Sequence, residues 1–136
     1  MIIRAYQESD EPAVVALWGA NLTTRPWNEP VAAIHRKLQI QREMFLVAEV
    51  AGRLVGITMA GYDGHRGWIY SVAVDPNHRR RGIATGLIRE AERLLKLLGC
   101  PKINLQVMPS NPEAVALYQS LGYVIEDRVS MGKPML

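Results

Sequence analysis

Val72-Ala-Val-Asp-Pro-Asn-His-Arg-Arg-Arg-Gly-Ile-Ala84 is the stretch on which the fold turns. It begins inside an apolar run, Ile69-Tyr-Ser-Val-Ala-Val74, that reads as a buried strand. Asp75-Pro76-Asn77 reads as a turn, and the basic segment Arg79, Arg80, Arg81 follows with Gly82 and the small Ala84. Ile83, Leu87, Ala91, Leu94, Leu95 and Leu98 then recur at helical spacing until Gly99 and Pro101 close the pattern. Strand, basic loop and helix start together suit a phosphate-bearing ligand. The first N–H groups of a helix lack internal partners and carry partial positive charge, so they attract an anion. The arginines add charge beside them, and a glycine lets the backbone come close to the ligand.

Working outward, Ile2 to Tyr6 reads as a strand. Ser9 and Asp10 offer an N-cap, with Pro12 in the first turn, for a helix ending near Asn21. Thr23-Thr-Arg-Pro-Trp-Asn-Glu-Pro30 is loop-like, and a second helix covers Val31 to Gln41 with Ile34 and Leu38 inward. Phe45 to Val50 and Leu54 to Ala60 form a hairpin about Ala51-Gly52. The turn-rich segment Gly61 to Gly67 leads into the strand Trp68 to Val74. Lys102 to Met108 is another strand, parallel to the last because a long helix joins them in a right-handed crossover. Asn111 and Pro112 open a short helix through Leu121, Gly122 ends it, and the remainder reads as one or two strands. The order β-α-α-β-β-β-α-β-α-β-β predicts a mixed α/β sheet with helices on its faces, and residues 1–136 show no linker or repeat that would divide one domain.

Composition narrows the function. The 136 residues are 49% hydrophobic and 21% charged, as in a globular protein. No apolar run approaches the ~20 residues that span a bilayer, and the N-terminus lacks a signal peptide's pattern. The single Cys100 excludes an internal disulfide and fits a reducing compartment, so a cytoplasmic location is expected and no membrane partner. The net charge of +3 is mild and centred on Arg79, Arg80 and Arg81, whereas nucleic-acid binders spread basic residues over a face. An anionic small ligand accounts for it without nucleic acid. His35, His65 and His78 have no metal-ligand spacing, so no metal is expected.

Arg79-Arg80-Arg81-Gly82-Ile83-Ala84 resembles the Arg/Gln-x-x-Gly-x-Gly/Ala motif of the Gcn5-related N-acetyltransferases, the GNAT superfamily. Asn111-Pro-Glu-Ala-Val-Ala-Leu-Tyr-Gln-Ser-Leu-Gly-Tyr123 is similar to that family's Asn-x-x-Ala-x-x-Leu-Tyr-x-x-x-Gly-Phe/Tyr segment, and the element order agrees over nearly the full length. Arg25-Pro-Trp-Asn28, the Gly61–Gly67 loop and Gly99-Cys-Pro-Lys-Ile103 resemble the small bacterial YpeA-type group.

The resemblance implies acetyl-coenzyme A (acetyl-CoA) as donor. Its pyrophosphate would sit on the loop of Arg79, Arg80, Arg81, Gly82, Ile83, Ala84 and Thr85, and its pantetheine arm along Val72, Ala73 and Val74. A free N–H near Val72 would hold the oxyanion, an effect of about 3–4 kcal/mol. Asn111 would touch the cofactor, and Tyr118 would be the general acid toward the departing thiolate. A phenol of pKa about 10 is protonated at neutral pH. Peptide-directed relatives carry a Glu twelve residues before that Tyr, where this chain has Gln106, so no base carries over. Glu49, Asp63 and His65 are substitutes, and water is another. Water would favour an amine of pKa ~8, about 10% neutral at pH 7, over a lysine at about 0.04%. Trp27 and Tyr70, with Tyr62 and Trp68, are candidates for the acceptor site; Trp18 reads as core and Cys100 as structural. The acceptor is a small amine, an amino acid or a protein N-terminus. The alternative is a non-catalytic acetyl-CoA-binding sensor or structural protein. Many members dimerise through late strands, so a homodimer is compatible with the resemblance.

Overall fold

The computed structural model describes all residues from Met1 to Leu136. The chain forms two compact units, Met1–Leu105 and Gln106–Leu136.

The first unit is a five-stranded sheet in sequential order: β1 (Ile2–Ala5), β2 (Phe45–Val50), β3 (Arg53–Tyr62), β4 (Gly67–Val74) and β5 (Ile103–Leu105). The pairs β1–β2, β2–β3 and β3–β4 are antiparallel, and β4–β5 is the parallel pair predicted from the long crossover. Ala51 and Gly52, with φ 52° and 75°, make the tight β2–β3 turn, the left-handed pair whose twist matches the flanking strands.

Successive residues of β3 face opposite sides, and the two sides receive different helices. Ile57 and Met59 join a core with Val14, Leu17 and Trp18 of α1 (Glu11–Asn21) and Ile34 of α2 (Pro30–Lys37). Gly56 faces α3 (Ile83–Leu97): a Cβ there would stand 2.9 Å from Ile83 Cγ2 and 3.1 Å from Leu87 Cδ1, so the glycine lets the helix lie close on the strand. Ile83, Leu87, Ile88, Ala91 and Leu95 are the buried stripe of α3. Its end is closed by Gly99 at φ 80°, with Gly99 N–H donating to Lys96 O and Cys100 N–H to Leu95 O. Cys100 Sγ lies 3.2 Å from Lys102 O, in keeping with a structural role.

The second unit carries α4 (Pro112–Ser120). Residues 121–136 contain no strand, which corrects the one or two strands expected there. The apolar residues that suggested them are exposed: Val124 79%, Ile125 72%, Val129 88% and Met131 89%. Alternation alone does not make a strand, since the ladder needs a partner. Two other elements are shorter than expected. β5 covers Ile103–Leu105, not Lys102 to Met108, and α2 stops at Lys37, not Gln41. Gln41 takes a left-handed conformation, φ 50°, and cannot extend a helix. Asp10 occupies the N-cap position of α1 but makes no cap bond to it; its Oδ2 accepts from Gln7 N–H at 2.8 Å. No helix is long and apolar enough to cross a membrane.

Candidate active site

β4 is where the sheet becomes irregular. Ile57 pairs with Ala73 and Met59 with Tyr70, so Ser71 and Val72 together oppose the single Thr58. This is a β-bulge, with Ser71 at φ 55°, and it interrupts the ladder beside Val72. Buried Thr58 braces it by donating from Oγ1 to Tyr70 O at 3.2 Å. On its other edge β4 pairs with β5 only from Gly67 to Ile69, so Tyr70–Val74 run on without a strand partner there. Extended backbone with unclaimed hydrogen-bonding groups is what an extended amide-bearing ligand can pair with.

Beyond β4, Asp75 Oδ1 accepts from Asn77 N–H at 2.9 Å and shapes the turn into the basic loop. Arg80 and Gly82 are both left-handed, φ 62° and 76°, and Gly82 is the N-cap of α3 with no side-chain cap. The first N–H groups of α3 are therefore left for water or an anion. Arg79, Arg80 and Arg81 are exposed and none has a carboxylate within ion-pair distance.

A cavity of about 600 Å³ opens on the α1–α2 side of the sheet. Trp27, Tyr62, Trp68 and Tyr70 give it aromatic walls, and Ser71 brings it to the bulge. Trp27 sits in a 3₁₀ turn, Pro26–Asn28, held where Arg36 Nη2 donates to Trp27 O at 3.1 Å. Asp63 lines the cavity too, but its Oδ1 accepts from His65 and Arg66 N–H at 2.8 and 2.7 Å. Those bonds hold its carboxyl below the usual range, so it is an anion at neutral pH and a poor proton acceptor. Glu49 lies elsewhere. It is not among the cavity residues, and its Oε1 accepts from Arg4 Nη2 at 2.6 Å and Nε at 3.1 Å. Arg4 also binds both oxygens of Asp10, so Glu49 belongs to a structural ion network.

Among the cavity residues that escaped the sequence reading are Arg36, Lys37 and Gln41. Lys37 follows the inward Ile34 by three residues, which places both on one helix face. That spacing was the available signal.

A family model described as the acetyltransferase (GNAT) family matches residues 11–123. The chain belongs to the GNAT family of acetyltransferases. An acetyltransferase of Yersinia enterocolitica is 44% identical over 136 residues, covering 100% of this chain and 96% of the relative. The crystal structure of Ard1 from Thermoplasma volcanium is 28% identical with a TM-score of 0.80, over 92% of this chain and 83% of that one. The aminoglycoside acetyltransferase AAC(6')-Iy, solved with a bisubstrate analogue of CoA, has a TM-score of 0.82 at 20% identity, over 99% and 98% of the two chains, and shows the shared fold. The basic loop and the bulged β4 thus occur in a GNAT acetyltransferase, a family that uses acetyl-CoA. No group of three or more His, Cys, Asp or Glu side chains is placed to hold a metal ion.

The remaining GNAT residues lie in the second unit. Asn111 is the N-cap of α4, its Oδ1 accepting from Ala114 N–H at 3.1 Å. Tyr118 is half-buried on α4 and meets Tyr123 edge-on, ring centroids 5.9 Å apart. Burial raises its hydroxyl pKa, so it stays protonated at neutral pH. Gln106, where peptide-directed relatives have Glu, donates from Nε2 to Ser130 Oγ at 2.5 Å.

Proposed function

We propose that the protein is an N-acetyltransferase that moves the acetyl group of acetyl-CoA directly to a primary amine in a ternary complex. The observation that carries this reading is the pairing of an anion-ready loop, Arg79–Thr85, with a bulged and partly unpartnered β4 in a chain of the GNAT family. Main-chain groups along Val72, Ala73 and Val74 hold the pantetheine arm, and the loop N–H groups and arginines hold the pyrophosphate. The amine enters the aromatic cavity that reaches Ser71. Its lone pair forms the N–C bond to the thioester carbonyl, and an N–H near Val72 stabilises the oxyanion. Collapse breaks the C–S bond, and Tyr118 protonates the thiolate. The ammonium proton leaves to water, because Asp63 is committed to two backbone N–H groups, Glu49 to Arg4, and His65 is not among the residues lining the cavity.

The test is release of CoA thiol from acetyl-CoA across a panel of amines. Release depends on the amine, and Tyr118→Phe lowers kcat roughly a hundredfold, the usual scale of a positioned acid. Unchanged turnover in that variant contradicts the acid assignment. A second reading, a sensor that binds acetyl-CoA without turning it over, draws support from Gln106 in place of a carboxylate base. It predicts a raised melting temperature with acetyl-CoA and no amine-dependent thiol.

A further inference from the structure

The cavity is lined by a buried lysine that has no ion-pair partner. Lys37 is only 6% exposed, yet its ammonium has no carboxylate within ion-pair distance. Nζ donates to Ala60 O at 2.5 Å and to Ile40 O at 3.0 Å. An ammonium carries three N–H donors, so one is left over. A buried cation without a counter-ion is costly, and a bound anion removes that cost.

The charges around the cavity point the same way chemically. Arg36 adds a second cation, with one nitrogen engaged by Trp27 O. The one carboxylate, Asp63, already accepts two N–H bonds. The cavity is thus lined by two cations and a single carboxylate. Gly61 leaves room to reach Lys37. A Cβ on Gly61 would lie 3.4 Å from Gln41 Oε1, 3.7 Å from Lys37 Nζ and 4.0 Å from Tyr70 Oη, so these atoms ring a niche that any side chain there would fill.

We infer that Lys37, reached over Gly61, is a specificity-determining residue that binds an anionic group on the acceptor. The substrate class is a small amine bearing a carboxylate or phosphate, with its apolar part against Trp27 and Trp68. Polyamines are disfavoured, because they would bring further positive charge to Lys37 and Arg36. The inference deepens the acetyltransferase reading and rests on it for the word acceptor, but its test is a binding measurement that needs no turnover.

The full-length protein, with and without saturating CoA, is titrated while tryptophan fluorescence is followed. The probes are the common amino acids against their amides, O-phosphoethanolamine against ethanolamine, and spermidine. At least one anionic probe binds tenfold or more tighter than its neutral partner, the scale of a charge-assisted hydrogen bond. The amino-acid and phosphoethanolamine arms separate carboxylate from phosphate recognition. Lys37→Met abolishes that preference. Gly61→Ala gives the same loss, and its Cβ sits at ordinary contact distances, so this variant serves if Lys37→Met misfolds. The inference is overturned if no anionic probe outbinds its neutral partner, if spermidine binds best, or if the preference survives in both folded variants. Thiol release in the amine panel judges the acetyltransferase reading separately.

Discussion

At the scale of residues, the first unit is tied by a charge cluster that also explains why one candidate base is unavailable. Arg4 reaches both oxygens of Asp10 at 2.8 Å and Oε1 of Glu49 at 2.6 Å. Asp10 is 8% exposed and also accepts from Gln7 N–H. The Arg4 guanidinium holds the Asp10 carboxyl below its ordinary range. The folded state thus favours the ionised form. The stabilisation is complete above the unfolded pKa of about 3.9 and is lost as pH falls through the lower folded value. Asp10→Asn should cost about 2 kcal/mol near neutral pH, a charge-assisted pair with Arg4 still partly solvated. Differential scanning calorimetry should show a melting temperature roughly 5–10 °C lower. The variant should also lose less stability than the parent as pH falls below about 4, where the folded state's preference for the ionised carboxylate is lost. Equal acid sensitivity would contradict the network's role. Glu49 illustrates what single residues hide: a Glu in a strand looks available until its partner, Arg4 on a neighbouring strand, is known.

At the scale of elements, the sequence was most legible where the signal was local. The α3 stripe, its glycine stop, the β2–β3 turn and the strand-loop-helix unit at residues 72–84 all follow from neighbouring residues. The C-terminal segment was misread for the same reason, because its alternation is local and strand pairing is not. The β4 bulge was also out of reach, since it depends on Thr58 facing two residues. The loop before α3 makes its own prediction. Gly82 sits at φ 76° with open space around a Cβ, so Gly82→Glu meets backbone strain and no clash. It should lower stability by about 1–2 kcal/mol and weaken acetyl-CoA at least tenfold by placing a carboxylate at the helix start. Isothermal titration measures this directly. An unchanged Kd would show that the pyrophosphate binds elsewhere.

At the scale of the whole molecule, the family was legible because its two motifs carry chemistry in short segments. The cavity proposed for the acceptor was not, because α1, the Trp27 turn, α2, β3 and β4 each contribute a wall. Trp27 and Tyr70 were found one by one; Lys37 is set apart only by its burial, which depends on the whole fold. The central claim is that this assembly transfers acetyl to nitrogen. The most direct measurement supplies acetyl-CoA labelled in the acetyl group together with the amine panel, and follows the label by mass spectrometry. The account predicts label on the amine nitrogen of at least one acceptor, in step with thiol release and with no label left on the protein. Bound acetyl-CoA whose label stays on CoA, or appears only as free acetate whatever the amine, would contradict it.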